Sequence, residues 1–243
     1  KELPTVDYIL VPIGGGGLCT GVSTLAKLLN PKIKVIAVEP AGAACLKASL
    51  EAGEVTTVSK INTIADGTAV QTPGDKLFPY LQANVDHVIT VDDSELTLSF
   101  LDMAENHKMI VENSGLLTVA ALKHLDFKGK KVVSVLSGGN MDVLTMATVV
   151  QNGLMQRDRI FTVSVMLPDK PGQLAAVSSL IAKEQGNVIK LEHNVFANVN
   201  RTAGVELTIT LESFGTEHKD QIIKALEAAG YCPVITKTNG IYM

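Results

Sequence analysis

Four consecutive glycines, Gly14, Gly15, Gly16 and Gly17, stand between an apolar run of strand length at residues 6–13 and a segment of helical length and spacing at residues 18–29. With no Cβ in the way, the N–H groups of such a turn and of the helix start can surround a phosphate. A tight strand-to-helix turn with close packing is the lesser alternative for the same residues. Two familiar nucleotide readings fail. A dinucleotide fingerprint needs a third glycine where Cys19 and Thr20 stand, and a triphosphate loop needs Lys-Ser or Lys-Thr where Gly21 is followed by Val22. A second glycine turn, Ser137, Gly138, Gly139 and Asn140, follows the β-branched strand at residues 131–136. Open α/β sheets place ligands at the carboxyl ends of their strands, and Ser137 can offer a hydroxyl there. It can also cap the helix expected from Met141. A third turn holds Asp169, Pro171 and Gly172, which ordinary turn chemistry would produce too. Glu112 opens a helix, where the dipole alone accounts for an acid. The five histidines, His87, His107, His124, His193 and His218, are scattered and suggest no ligand set.

The elements that must position these residues alternate. Strands are expected at residues 6–13, 32–39, 85–91 and 131–136, and helices at 18–29, 43–51, 74–82, 94–106, 115–125 and 141–151. The helix at 74–82 tolerates Pro79 near its middle only with a kink. Asp92 or Asp93 caps the helix at 94–106. This rhythm predicts an open parallel sheet with helices on both faces. The polar stretch 152–159 carries two of the three arginines and marks a boundary, giving domains 1–155 and 156–243. After it come strand, helix, strand, strand, helix and strand at 160–167, 172–183, 187–196, 205–211, 216–229 and 233–237, the βαββαβ or ferredoxin-like plan.

Composition narrows the function classes. At 46% hydrophobic and 19% charged, the chain has enough apolar residues for packed cores, which excludes disorder. A formal charge of −4 without a basic run argues against nucleic acid as a partner. No apolar stretch is long enough to span a bilayer, so no membrane partner is expected. Cys19, Cys45 and Cys232 lie far apart in no metal or redox spacing, which suits free thiols and a cytoplasmic location. The chain enters its first strand almost at once without an initiator Met, and a portion of a longer protein is expected.

Read together, PIGGGGL at residues 12–18, VEPAGAA at 38–44, TIADGTAV at 63–70 and VLSGGN at 135–140 resemble the fold-type II, tryptophan-synthase-beta-like pyridoxal-phosphate enzymes. Among these the resemblance is to the threonine/serine dehydratases. It implies that Gly14, Gly15, Gly16, Gly17 and Leu18 hold the cofactor phosphate, that Gly67 lines the cofactor face, and that Ser137 meets the pyridine nitrogen. It further implies conversion of threonine to 2-oxobutanoate and ammonia, and Glu112 matches an acid of the active-site wall. LPDKPGQL at 167–174 and GNV at 186–188 resemble the amino-acid-sensing ACT domain. By that resemblance an effector amino acid meets Asp169, Pro171, Gly172, Gln173, Leu174 and Asn187, and the small module pairs into a homodimer.

Two departures qualify the likeness. None of the eighteen lysines precedes an arginine by two residues, the context in which this family carries its Schiff-base lysine. No catalytic residue is therefore assigned. Pyridoxal phosphate is expected in the full-length parent, without a covalent bond to this chain, which should be inactive alone. Cys45 stands where related racemases have a metal-binding aspartate, so Glu39 and the Ala43 carbonyl would suit a monovalent cation at most. A serine dehydratase or racemase, and a non-catalytic amino-acid sensor, are the competing readings.

Overall fold

The computed structural model describes residues 3, 5–194 and 204–238. They divide after Val150 into two compact units.

In the first unit β1 (Tyr8–Pro12), β2 (Lys34–Pro40), β3 (His87–Val91) and β4 (Val132–Ser134) form an all-parallel sheet in the order β3-β2-β1-β4. On one face lie α1 (Gly17–Leu29), α2 (Cys45–Ala52) and α3 (Phe78–Asn84); on the other lie α4 (Asp93–Asp102) and α5 (Asn113–Ala120). Strand alternation sorts the core between these layers. Val11, Val35 and Ala37 pack with Cys19, Ala26, Leu46, Phe78 and Leu81. Leu10, Ile36 and Val38 pack with Leu96, Phe100, Leu116 and Leu117. Burial on both faces is why β1 and β2 read as nearly unbroken apolar runs.

Several boundaries differ from expectation for identifiable reasons. The third helix begins at Phe78, later than residue 74, so Pro79 falls in the first turn and no kink is needed. Asp92 is the cap of α4: it forms a capping box with Glu95, whose Oε2 accepts the Asp92 amide at 3.0 Å. That helix passes into a π-turn at Met103–His107, and α5 ends in a 3-10 turn at Ala121–His124. The strand expected at 131–136 pairs over only three residues, although the Val135 amide still donates to the Leu10 carbonyl at 3.0 Å. The helix expected at 141–151 is α6 (Val143–Gln156), which runs into the stretch read as a boundary.

In the second unit β5 (Ile160–Leu167), α7 (Gln173–Lys183), β6 (Asn187–Asn194), β7 (Val205–Glu212), α8 (Thr216–Ala228) and β8 (Val234–Thr236) follow the expected βαββαβ order. The antiparallel sheet runs β6-β7-β5-β8. Phe161, Val163, Val165, Leu207, Ile209 and Leu211 meet Val177, Ile181, Ile222 and Leu226 on the helical side. The opposite side presents Thr162, Thr208, Thr210, Lys190 and Glu192, with the hydroxyls of Thr162 and Thr210 hydrogen-bonded at 3.0 Å. The end of the strand expected to reach residue 196 lies outside the described residues.

Candidate functional site

The glycine turn divides its work between packing and open space. Gly16 is left-handed at φ +101° and precedes the first residue of α1. A Cβ on Gly14 would stand 2.8 Å from the Thr68 Cα, and one on Gly16 would stand 2.9 Å from the Leu81 Cδ1. At Gly15 and Gly17 an added Cβ would meet no heavy atom within 4 Å. The first and third glycines are therefore demanded by packing and conformation, and the other two keep a space clear at the helix start. No side chain caps α1, and the N–H groups of Gly17, Leu18 and Cys19 have no carbonyl partner within the helix.

Across that space stands the 3-10 turn Asp66–Thr68. Residues from Pro12 to Cys19 together with Gly67, Thr68, Glu112, Ser114 and Ser137 enclose a cavity of about 230 Å³. All seven residues that the sequence assigned to the cofactor are thus brought together. Thr68 and Ser114 were missed. Both are buried, and the Thr68 hydroxyl donates to the Ala65 carbonyl at 3.0 Å and lies 3.5 Å from the Ser114 Oγ. Thr68 sits inside TIADGTAV and Ser114 two residues after Glu112, but only the approach of α5 to the 66–68 turn makes them neighbours.

The two readings of Ser137 are separated by the cap of α6. That helix starts at Val143, and the Asp142 Oδ1 accepts the amides of Leu144 at 2.9 Å and Thr145 at 3.1 Å. Hydrogen bonds from Thr145 hold the Asp142 carboxyl below the usual range. Ser137 caps nothing there and lines the cavity instead. Glu112 borders the same space. Its amide donates to the Gly138 carbonyl at 3.1 Å, and its Oε1 is so close that a Cβ on Gly138 would stand 2.4 Å away. Glu112 also lines a neighbouring cavity of about 310 Å³ with Asp66, Asn113 and Asn140.

Glu39 is fully buried and caps α2: its Oε1 accepts the Leu46 amide at 2.6 Å and its Oε2 the Lys47 amide at 2.9 Å. Burial raises its pKa, and these amides oppose the rise. Each carboxylate oxygen accepts one backbone amide, Ala43 lies in a short 3-10 turn before the helix, and among the described residues no cluster of three or more His, Cys, Asp or Glu is arranged to hold a metal. Burial, with Glu39 nearby, pushes the thiols of Cys19 and Cys45 up to about 12.

In the second unit the turn carrying Asp169 and Pro171 ends at Gly172, left-handed at φ +90°, and α7 opens with Gln173 and Leu174. Asn187 is not beside it. The register pairs Leu167 with Val205 at one end of the sheet, and Ile160 with Glu212 at the other, where Glu212 also pairs with Asn187. The seven steps of β5 separate the two by roughly 23 Å at about 3.3 Å per residue. The cause is topological: α7 returns the chain so that β6 starts where β5 started. The Asn187 amide group donates to the Glu212 carboxylate at 3.0 Å.

Comparison with known proteins places both units. Residues 1–138 match the model of the family described as pyridoxal-phosphate dependent enzyme, and residues 161–230 match the ACT domain. An L-threonine ammonia-lyase of Geobacter sulfurreducens is 38% identical over 98% of this chain and 60% of its own length. Among solved structures, the processed form of threonine deaminase isoform 2 from Solanum lycopersicum is 30% identical with a TM-score of 0.58, over 62% of this chain and 45% of that one. Serine racemase from Dictyostelium discoideum is 41% identical with a TM-score of 0.54, over 58% of this chain and 46% of that one. The chain spans about three-fifths of the length of the curated relatives it matches.

Proposed function

The chain belongs to the pyridoxal-phosphate dependent enzyme family and carries an ACT domain, and from that premise we propose that its first unit is the cofactor-holding part of a threonine ammonia-lyase, which converts L-threonine to 2-oxobutanoate and ammonia. The observation that carries this reading is the single cavity where the first turn of α1, the Gly67–Thr68 backbone and Ser137 converge. The clear space at Gly15 and Gly17, in front of the helix N–H groups, suits a phosphate dianion because those donors and the helix dipole both favour negative charge. When bound, pyridoxal phosphate withdraws electron density from the substrate α-carbon. Ser137 would meet the pyridine nitrogen with a neutral hydroxyl, which does not hold that nitrogen protonated, so carbanion stabilisation is tempered and loss of a β-hydroxyl is favoured. Gly67 would lie along the cofactor face.

None of the eighteen lysines stands in the family's Schiff-base context, so these residues by themselves should hold the cofactor non-covalently and turn over no substrate. The test is to dialyse the chain against pyridoxal phosphate with and without competing inorganic phosphate, then assay 2-oxo acid release from threonine and serine. Phosphate-competed binding without turnover supports the reading. A borohydride-fixed adduct mapped to one lysine would overturn the inactivity, and absence of any binding would overturn the cup. The likeness to serine racemases makes serine the second substrate to compare in the whole enzyme.

The second unit is read as the sensor of an amino acid, held at Asp169, Pro171, Gly172, Gln173 and Leu174 together with Asn187. Because one copy holds these at opposite ends of its sheet, a shared effector needs two copies. The open sheet face is polar, whereas β6 and β8 are, among the described residues, the outer strands of the sheet, with Val234 and Ile235 exposed. A homodimer through an edge of this unit, in a cytoplasmic protein, completes the proposal; among the described residues no helix is long and apolar enough to cross a membrane. Calorimetric titration with isoleucine, valine, threonine and serine, with Gly172→Asp as control, and sedimentation test it. No heat and a monomer would leave the unit a structural role only.

A further inference from the structure

Residues 53–77, between α2 and α3, contain neither strand nor α-helix, yet they supply Gly67 and Thr68 to the cavity. Their backbone must be held by something other than a ladder of main-chain bonds. The grip comes from Asp93, at the start of α4. Its Oδ1 accepts the Thr63 hydroxyl at 2.6 Å and its Oδ2 accepts the Ile64 amide at 3.0 Å. The Thr63 Oγ1 in turn accepts the Ala65 amide at 3.1 Å. From α5, the Asn113 Nδ2 donates to the Ile64 carbonyl at 2.9 Å, so both polar backbone atoms of Ile64 are held by side chains of two different helices. Ala65 then accepts the Thr68 hydroxyl, and Thr68 and the Gly67 carbonyl lie directly against Gly14 of the glycine turn.

Asp93 is free for this task because its neighbour Asp92 caps α4. We propose that Asp93 is a positioning residue for the cofactor site: acting through Thr63 and Ile64, it sets the distance between the Gly67–Thr68 wall and the glycine turn. The proposal rests on reading that cavity as the cofactor site. A charged acceptor that makes two hydrogen bonds is a stiffer support than a single neutral contact, since each such bond is stronger and the pair fixes direction as well as distance.

The experiment compares this chain with its Asp93→Ala, Asp93→Asn, Thr63→Val and Asp93→Asn/Thr63→Val variants. Three readouts are taken: the dissociation constant for pyridoxal phosphate, amide exchange at Ile64, and the urea midpoint. Asp93→Ala should weaken cofactor binding roughly tenfold and speed exchange at Ile64, the scale of effect seen when an outer support of a ligand site is removed. Asp93→Asn keeps one acceptor and should fall between Asp93→Ala and the parent. The double variant should lose less than the two single variants added together, because both cut the Asp93–Thr63 link. A purely structural role would lower the urea midpoint while leaving the affinity of the folded chain unchanged, and that result overturns the proposal. Should Asp93→Ala fail to fold, Asp93→Asn and Thr63→Val still decide it. If the parent chain binds no cofactor, the site reading falls and this proposal with it; if the parent binds and all variants bind equally, only this proposal falls.

Discussion

Replacing the four glycines of the turn singly by alanine should split them into two pairs, with folding stability and anion binding moving in opposite members. At Gly14 the new Cβ would lie 2.8 Å from the Thr68 Cα, a backbone atom that cannot swing aside, so the overpacking cost is about 1–3 kcal/mol. At Gly16 the left-handed φ of +101° alone costs alanine about 1–2 kcal/mol, and contact with Leu81 is a smaller addition because that methyl ends a flexible side chain. Gly15 and Gly17 have open space and no positive φ, so alanine there is neutral or stabilises by up to about 1 kcal/mol through the unfolded chain. With a urea m-value of about 2 kcal/mol per molar, the first pair loses roughly 1 M in midpoint and the second stays within about 0.5 M of the parent or rises. Binding should follow the reverse order per unit of stability lost: Gly15→Ala and Gly17→Ala put a methyl where the phosphate would sit and should weaken pyridoxal phosphate at least tenfold in a fully folded chain. Urea unfolding followed by circular dichroism, beside equilibrium dialysis, measures both. Gly15→Ala that unfolds as early as Gly14→Ala, or binds cofactor like the parent, would refute the division.

Asp142→Ala should lower the urea midpoint of the first unit through loss of the α6 cap, whereas Ser137→Ala should leave the midpoint in place and weaken cofactor binding. A disulfide reagent should titrate one thiol in the native chain, Cys232, and three after denaturation, since Cys19 and Cys45 are buried with thiols pushed up to about 12; early reaction of either would contradict that burial. Burial opposes the ionisation of Asp86, but hydrogen bonds from Lys27, Lys34 and the Val35 amide prevail and hold its carboxyl below the ordinary 3.8. A folded-state value below the unfolded one means that its stabilisation is complete above that ordinary value and is lost as pH falls through the folded value. Asp86→Asn should therefore flatten the acid limb of a plot of urea midpoint against pH below about 4, and an unchanged slope there would remove Asp86 from the account.

Local patterns in the chain were enough to order the strands and helices of both units, and the resemblance its motifs carry assigned to the cofactor seven of the thirteen residues that line the cavity. Apolar period and turn glycines act over a few neighbours, and such interactions are written in contiguous sequence. The start of α3 at Phe78 also follows a local rule, because Pro79 fits the first turn of a helix and not its middle. Which of two adjacent aspartates caps α4 and which clamps a distant loop, whether Ser137 caps a helix or faces a cavity, and which glycines leave space were undecided until the fold was assembled. Two of these depend on a partner far along the chain, Thr63 for Asp93 and Thr68 for Gly14, whereas Ser137 is left to the cavity because Asp142, five residues on, takes the cap of α6. The separation of Asn187 from the Asp169–Leu174 turn has the same origin, because residues only thirteen apart are driven to opposite ends of a sheet when the helix between them returns the chain. Sequence supplies the chemical groups and their local geometry; which groups face each other is set by the long-range packing that the tertiary structure alone resolves.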